Sequence, residues 1–357
     1  VMDVKTGAII SIVSAPGYDP NAFTTTVTPA LWKQLNEDQL KPLLNKAITG
    51  MYPPGSTFKP VVALAALASG RMSATARVHC SGATSLGNHV FHCWKKGGHG
   101  SMDMHAAIKN SCDVYFYECA RRTGIEEIAK MSRKFGLGQT YGLEIPGEKA
   151  GLVPDPEWKL RARKDGWRNG DTYNVGIGQG AMLTTPLQLA VMTARLANGG
   201  KAVIPHVIRS YSGVERVMPE PEDMGLDPLH VKIVHSGMDA VTNQGGTGAR
   251  SRIDVDGFDM AGKTGTAQVR RLTAELRGKS AESIPWIFRD HALFIAFAPV
   301  VEPRYAISVV IEHGGGGSKT AAPIAKDIMT LVAQRDPARK PLFVPPARQP
   351  VTTAAKA

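Results

Sequence analysis

Tyr52-Pro53-Pro54-Gly55-Ser56-Thr57-Phe58-Lys59-Pro60 is the most informative stretch of the chain. Pro53, Pro54 and Gly55 interrupt regular structure. Ser56 then leads into an apolar run, Val61-Val62-Ala63-Leu64-Ala65-Ala66-Leu67-Ala68, that stops at Ser69-Gly70. A breaker ahead and a glycine behind predict a helix. Ser56 falls in its first turn and Lys59 three residues on, so both share a face at the positive end of the helix dipole. A serine is a weak nucleophile until an adjacent amine that can be neutral takes its proton. Burial beside a helix N-terminus lowers a lysine's pKa in that direction. The pair alone decides nothing. About one S-x-x-K arises by chance in a chain of this length, and Ser56 also reads as an ordinary N-cap.

The chain has 357 residues, 43% apolar and 20% charged, enough for a large core in one or two domains. A net charge of +11 favours an anionic setting, whether nucleic acid, membrane surface or cell-wall polymer. No dense Lys/Arg block is interleaved with aromatics, which argues against nucleic acid. No apolar run approaches the ~20 residues needed to span a bilayer, and no signal peptide is evident. The opening Val1-Met2-Asp3-Val4 reads as mid-strand, so we expect an N-terminal part to precede it.

Residues 1–16 alternate around Lys5-Thr6-Gly7-Ala8, a hairpin signal. Helices are expected near 29–35, 56–70, 102–110, 114–122, 124–135, 185–198, 228–243 and 322–333. Residues 71–100 are dense in Gly, His and Cys without apolar periodicity, a loop that needs something other than a core to hold it. Residues 136–158 read as loop-rich, and 174–180 as a glycine turn. Strands are expected at 258–268, 291–299 and 305–312, with a charged irregular insertion over 271–288. The last ~20 residues carry several prolines and little apolar content, and are expected to be disordered. Strands at both ends with helices between predict a mixed α/β domain on an antiparallel sheet, with an inserted helical subdomain.

Two further short motifs follow Ser56 in order: Ser111-Cys112-Asp113 at a helix–helix junction, and Lys263-Thr264-Gly265-Thr266 on the last-but-two strand. A K-T-G alone occurs by chance in roughly one such chain in ten, but the ordered set is far rarer. It resembles the penicillin-recognising serine enzymes, whose set is S-x-x-K, S-D-N and K-T-G. More widely the chain is similar to the class B penicillin-binding proteins, the peptidoglycan transpeptidases. Leu44-Asn45-Lys46-Ala47-Ile48, Gly178-Gln179-Gly180, Thr184-Thr185-Pro186-Leu187-Gln188 and Ala261–Ala267 extend the resemblance, which runs from residue 1 to about 333. Asp113 stands where septal members usually carry asparagine, which points to the penicillin-binding protein 2 group of cell elongation.

The resemblance implies a five-stranded, mainly antiparallel sheet flanked by helices, in a transpeptidase domain over 1–335 with a tail over 336–357. It implies that Ser56 attacks a D-alanyl-D-alanine carbonyl and that a neutral Lys59 takes its proton. Ser111 would pass a proton to the leaving amine and Asp113 would orient the network. Lys263 and Thr264 would receive the substrate carboxylate, with Gly265 between them and Thr266. The backbone N–H groups of Ser56 and Thr266 would form the oxyanion hole. It further implies β-lactam binding at Ser56 and a membrane anchor and pedestal ahead of this chain, on the periplasmic face of the inner membrane. A glycan-polymerising SEDS-family partner would bind that part. A β-lactamase or a β-lactam sensor of the same fold are the rival readings. No clear deacylating glutamate motif is present, and a sensor would not cross-link peptides.

Cys80, Cys93, His99 and Cys112 read C-x12-C-x5-H-x12-C. Three thiols and an imidazole are a standard tetrahedral zinc set, and a metal there would explain how residues 71–100 are held. Because Cys112 lies between Ser111 and Asp113, it would also pin the second motif. A Cys80–Cys93 disulfide is the alternative in an oxidising compartment. His89 or His92 could replace His99, and Cys119 reads as core. The acyl-transfer chemistry itself calls for no cofactor.

Overall fold

The computed structural model describes residues 1–24, 26–269 and 283–336. Its centre is an antiparallel sheet in the order Met2–Asp3, Tyr305–Ile311, His291–Ala298, Ala261–Ala267. His291–Ala298 is buried from Ala292 onward, so both its faces are covered. Its side chains divide by the two-residue period of an extended chain. Leu293, Ile295 and Phe297 join the core shared with the central helices. Ala292, Phe294, Ala296 and Ala298 face a second core built with Ala321, Ala322, Ala325 and Met329 of the helix Ala321–Arg335.

The mixed α/β class holds, but the sheet has four strands among the described residues, not five. The expected N-terminal hairpin forms only as a short turn, with the Asp3 N–H donating to the Ala8 carbonyl and Met2 bridging Ile9, and its second arm adds no strand to the sheet. Beyond Gly7 the chain makes only isolated bridges, Met2 with Ile9 and Ala8 with His206. The Ile9 N–H donates to His206 and the Ile10 N–H to Val1, so no single strand receives the segment. The expected charged insertion lies largely outside the described residues, as do 337–357.

Six helices, Met104–Lys109, Asp113–Thr123, Ile125–Lys134, Pro186–Ala197, Pro228–Asn243 and Ala321–Arg335, start and stop within two residues of expectation. Thr185 caps one of them. Its hydroxyl accepts the Gln188 N–H and the Gln188 side chain accepts the Thr185 N–H, a capping box that accounts for Thr185-Pro186-Leu187-Gln188. The helix Lys59–Ala68 is buried at every residue from Lys59 to Leu67, as its all-round apolar surface requires. It packs against Asp113–Thr123, Ile125–Lys134 and Pro228–Asn243. Residues 71–100 are not irregular. Val78–Cys80 pairs with Gly100–Met102, and Ala83–Leu86 with His89–His92. Two-stranded ribbons are marginal on their own, so the need for another anchor stands. The helices Pro156–Arg163 and Asn169–Gly176 were not expected. Among the described residues no helix is long and apolar enough to cross a membrane.

Candidate active site

Ser56 sits on a 3-10 turn, Gly55–Phe58, that runs into the helix beginning at Lys59. The first turn is therefore tighter than the α-helix expected. Residues i and i+3 eclipse in a 3-10 turn, so Ser56 and Lys59 still share a face. Gly55 has φ +54°, and a Cβ there would come within 2.4 Å of the Thr266 carbonyl oxygen. A Cβ on Gly265 would come within 2.7 Å of Thr57 Cγ2. Both glycines are needed to press the nucleophile turn against the Ala261–Ala267 strand. Ser56 itself is half-buried.

Lys59 is fully buried, and its Nζ donates to Asp113 Oδ1 at 2.7 Å, the Ser111 carbonyl at 2.9 Å and Ser111 Oγ at 3.2 Å. Asp113 opens the helix Asp113–Thr123, and its other oxygen accepts the Trp94 N–H at 2.9 Å. The Trp94 indole N–H reaches the Asn110 and Ser111 carbonyls at 3.1 Å each. Ser111 has φ +53°, a left-handed backbone that costs a non-glycine residue about 1–2 kcal/mol. Such strain collects at functional sites, where the surroundings enforce it. It turns the carbonyl and hydroxyl of Ser111 together onto the amine. Lys59 Nζ therefore stands within ion-pair distance of Asp113 Oδ1.

Lys263 is also fully buried, its Nζ donating to the Thr264 carbonyl at 3.1 Å. Burial holds its pKa well below the usual lysine range, the positive charge of Lys59 adds to this, and Asp113 opposes it. The Thr264 hydroxyl is bonded to Thr247 at 2.8 Å, and the Thr247 N–H donates to the Lys109 carbonyl at 3.3 Å. Thr247 therefore links the strand of Lys263 to the helix that leads into Ser111. Sequence reading passed over it; the signal is Gly245-Gly246-Thr247-Gly248 after a helix end. Gln179 was noted only as part of a family stretch. Its amide donates to the Thr266 carbonyl at 2.9 Å, and Gly178 accepts the Gly55 N–H at 2.8 Å.

The donor atoms of Cys80, Cys93, His99 and Cys112 all lie within 4.8 Å of one another. His99 Nδ1 is 3.7 Å from Cys80 Sγ and 3.5 Å from Cys93 Sγ. All four cysteines of the chain are free thiols, so the disulfide alternative is not formed. A hydrogen bond with Cys112 lowers the Cys93 thiol to about 5, against the opposing pull of burial, and raises Cys112. His89 and His92 are exposed and stand outside the cluster. Cys119 is core, its thiol pushed up to about 12 by burial.

The family model of the penicillin binding protein transpeptidase domain matches residues 1–330. The chain belongs to this family. The peptidoglycan D,D-transpeptidase MrdA of Acinetobacter baumannii is 39% identical over 95% of this chain and 51% of its own length. The Pseudomonas aeruginosa PBP2 structure in complex with WCK 5153 superposes with TM-score 0.83 at 38% identity, covering 97% of this chain and 73% of that one. The Helicobacter pylori PBP2–MreC complex gives TM-score 0.83 at 33% identity, covering 94% and 59%. The chain spans about half the length of the curated relatives it matches.

Within this penicillin-binding transpeptidase domain, the predicted residues converge. Ser56 and Lys59 share one turn, Lys59 holds Ser111 and Asp113, and Gly265 and Thr266 lie against the turn that carries Ser56. Lys263 is buried on the strand beside them. The four predicted metal ligands form one cluster, joined to the site by the continuous backbone of Ser111-Cys112-Asp113 and by Trp94.

Proposed function

We propose that the chain is the catalytic domain, over residues 1–335, of a peptidoglycan D,D-transpeptidase of cell elongation. The observation that carries this is Lys59 Nζ bonded at once to Ser111 and Asp113, one turn from Ser56 and beside the Lys263–Thr266 strand. Ser56 Oγ attacks the penultimate D-alanine carbonyl, and its proton goes to Lys59. Lys59 accepts only when neutral, and Asp113 at 2.7 Å is the group to which it first hands its own proton. Catalytic hydrogen bonds commonly tighten only when substrate is bound, consistent with an amine aimed at Ser111 in the free site. The N–H groups of Ser56 and Thr266 hold the oxyanion, a contribution of about 2.7–4 kcal/mol per donor. Ser111 gives its proton to the departing D-alanine amine and takes the Ser56 proton back from Lys59, 3.2 Å away, while Thr264 receives the terminal carboxylate. The amine of a second peptide then attacks the ester, forming the cross-link and returning the proton to Ser56.

A structural zinc ion belongs, in this reading, to Cys80, Cys93, His99 and Cys112. Three sulfurs and one imidazole nitrogen within 4.8 Å suit a tetrahedral ion with Zn–S near 2.3 Å. When bound it would supply no acyl-transfer chemistry and would fix Cys112 between the two catalytic residues. β-Lactams would acylate Ser56. We further propose a place on the periplasmic face of the inner membrane, with SEDS-family and other elongation-complex partners engaging a preceding anchor and pedestal. The Helicobacter pylori relative solved with MreC supports such company.

Mass spectrometry after incubation with penicillin tests the reading. One adduct on the peptide containing Ser56, absent in Ser56→Ala, is expected. Rapid turnover of a chromogenic β-lactam would instead make the protein a β-lactamase, and an adduct elsewhere would exclude Ser56 as nucleophile.

A further inference from the structure

We propose that Glu312 is a positioning residue for the nucleophile, acting through Tyr52; this rests on the acyl-serine reading above. Glu312 follows directly on the strand Tyr305–Ile311, far in sequence from Ser56. One carboxylate oxygen accepts the Tyr52 hydroxyl at 2.9 Å, and the other pairs with Lys46 Nζ at 2.5 Å. The Tyr52 ring packs edge-on against His291, with centroids 5.2 Å apart. His291 is the register partner of Ala267, where the strand bearing Lys263, Thr264 and Thr266 ends. The phenol of Tyr52 is thus fixed to the same end of the sheet as the substrate-binding strand.

The backbone of Tyr52 is fixed from the other side. Its N–H donates to Thr184 at 2.9 Å, and its carbonyl accepts the Thr184 N–H at 2.8 Å. Between Tyr52 and Ser56 stand Pro53, Pro54 and Gly55. Both prolines have locked φ angles, and Gly55 has no room beside Thr266. A shift at Tyr52 therefore passes to Ser56 with little bond rotation to absorb it. Placing both charges on Glu312 and Lys46, rather than on neutral groups, orients the carboxylate with two directional partners. Glu312 touches neither the substrate-binding strand's donors nor the reacting atoms. Its role is to set where the serine hydroxyl stands relative to the Lys263–Thr266 strand.

The test separates noncovalent affinity for penicillin from the first-order acylation rate constant, by stopped-flow with the whole protein. Glu312→Ala is expected to slow acylation about ten- to hundredfold, the scale of an ångström-level misplacement, with affinity unchanged within about twofold. Glu312→Gln keeps an acceptor for the Tyr52 hydroxyl and should recover most of the rate. Tyr52→Phe should match Glu312→Ala, and the double variant should lose no more than either. An unchanged rate constant in folded Glu312→Ala overturns the proposal, as does a double variant whose losses multiply. So does a Gln variant no better than Ala. A wild-type protein not acylated at Ser56 overturns this proposal and the functional reading together, whereas normal wild-type acylation with an indifferent Glu312→Ala overturns the positioning role alone.

Discussion

Lys59 Nζ and Asp113 Oδ1 lie 2.7 Å apart, with the lysine side chain wholly and the aspartate side chain largely out of solvent. Two ions in such a place are tolerable only when each compensates the other and the remaining lone pairs and protons are bonded. Both conditions are met, because Ser111 takes the other Lys59 donors and Trp94 serves the second oxygen. The pair therefore ties the proposed chemistry to stability. Asp113→Asn should cost about 3–5 kcal/mol, the usual result of orphaning a buried charge, and should slow acylation by penicillin. Urea unfolding checks the first effect; a loss below about 1 kcal/mol would show that the ammonium finds compensation elsewhere.

Lys263 behaves oppositely. It is buried with a single backbone acceptor, so its burial opposes the charged form. Lys263→Met fills similar space without charge. We expect the variant to be no less stable than the parent, while acylation slows by at least about tenfold, since a preorganised hydrogen-bond donor near the reacting group is lost. Thermal unfolding beside an acylation assay reads both, and an unaltered acylation rate removes Lys263 from the site.

Thr247 orients the Thr264 hydroxyl. Thr247→Val keeps the shape and deletes the bond. Noncovalent affinity for carboxylate-bearing β-lactams should drop by about 0.5–1.5 kcal/mol, measured as the pre-acylation dissociation constant. Equal affinity would mean that Thr264 needs no such partner.

Metal analysis of protein purified without chelator should find one zinc per chain. Stripping it, or making Cys112→Ser, should lower the melting temperature and slow acylation, because Cys112 stands between Ser111 and Asp113. A metal-free protein with full activity and an intact disulfide ends the zinc assignment.

His291 carries a pH signature. Burial lowers its pKa to about 4 from 6.5, nearby His313 adds to this, and Glu312 opposes it. Folded His291 is thus neutral where unfolded His291 is protonated, so unfolding takes up a proton between pH 6.5 and 4. The contribution is fully present above 6.5, declines as pH falls through that window and is constant below about 4. Replacement by Gln should flatten that part of the stability profile; an NMR titration midpoint near 6.5 would contradict the shift.

Much of the helical layout was legible because each helix carries its own signals. Thr185 and Gln188 cap one end locally, and the run from Val61 to Leu67 is apolar on every side. The fifth strand is missing because the second hairpin arm pairs with Met2 at a single bridge and then lies against His206, nearly two hundred residues on. The ribbons within 71–100 lack hydrophobic alternation, so periodicity could not reveal them. The cluster of Cys80, Cys93, His99 and Cys112 beside them was nonetheless visible in its spacing.

Residue types and their order were sufficient to single out Ser56, the second motif and the strand motif as candidates, because each chemistry needs particular atoms at short range along the chain. They were not sufficient to name side-chain partners. That Lys59 is paired and Lys263 is not follows from which acid and which carbonyl the packed chain brings within 3 Å or so. Burial strengthens every such contact. Tyr52, Glu312 and Thr247 belong to the same class: their partners lie far off in sequence, and only the closed fold brings them together.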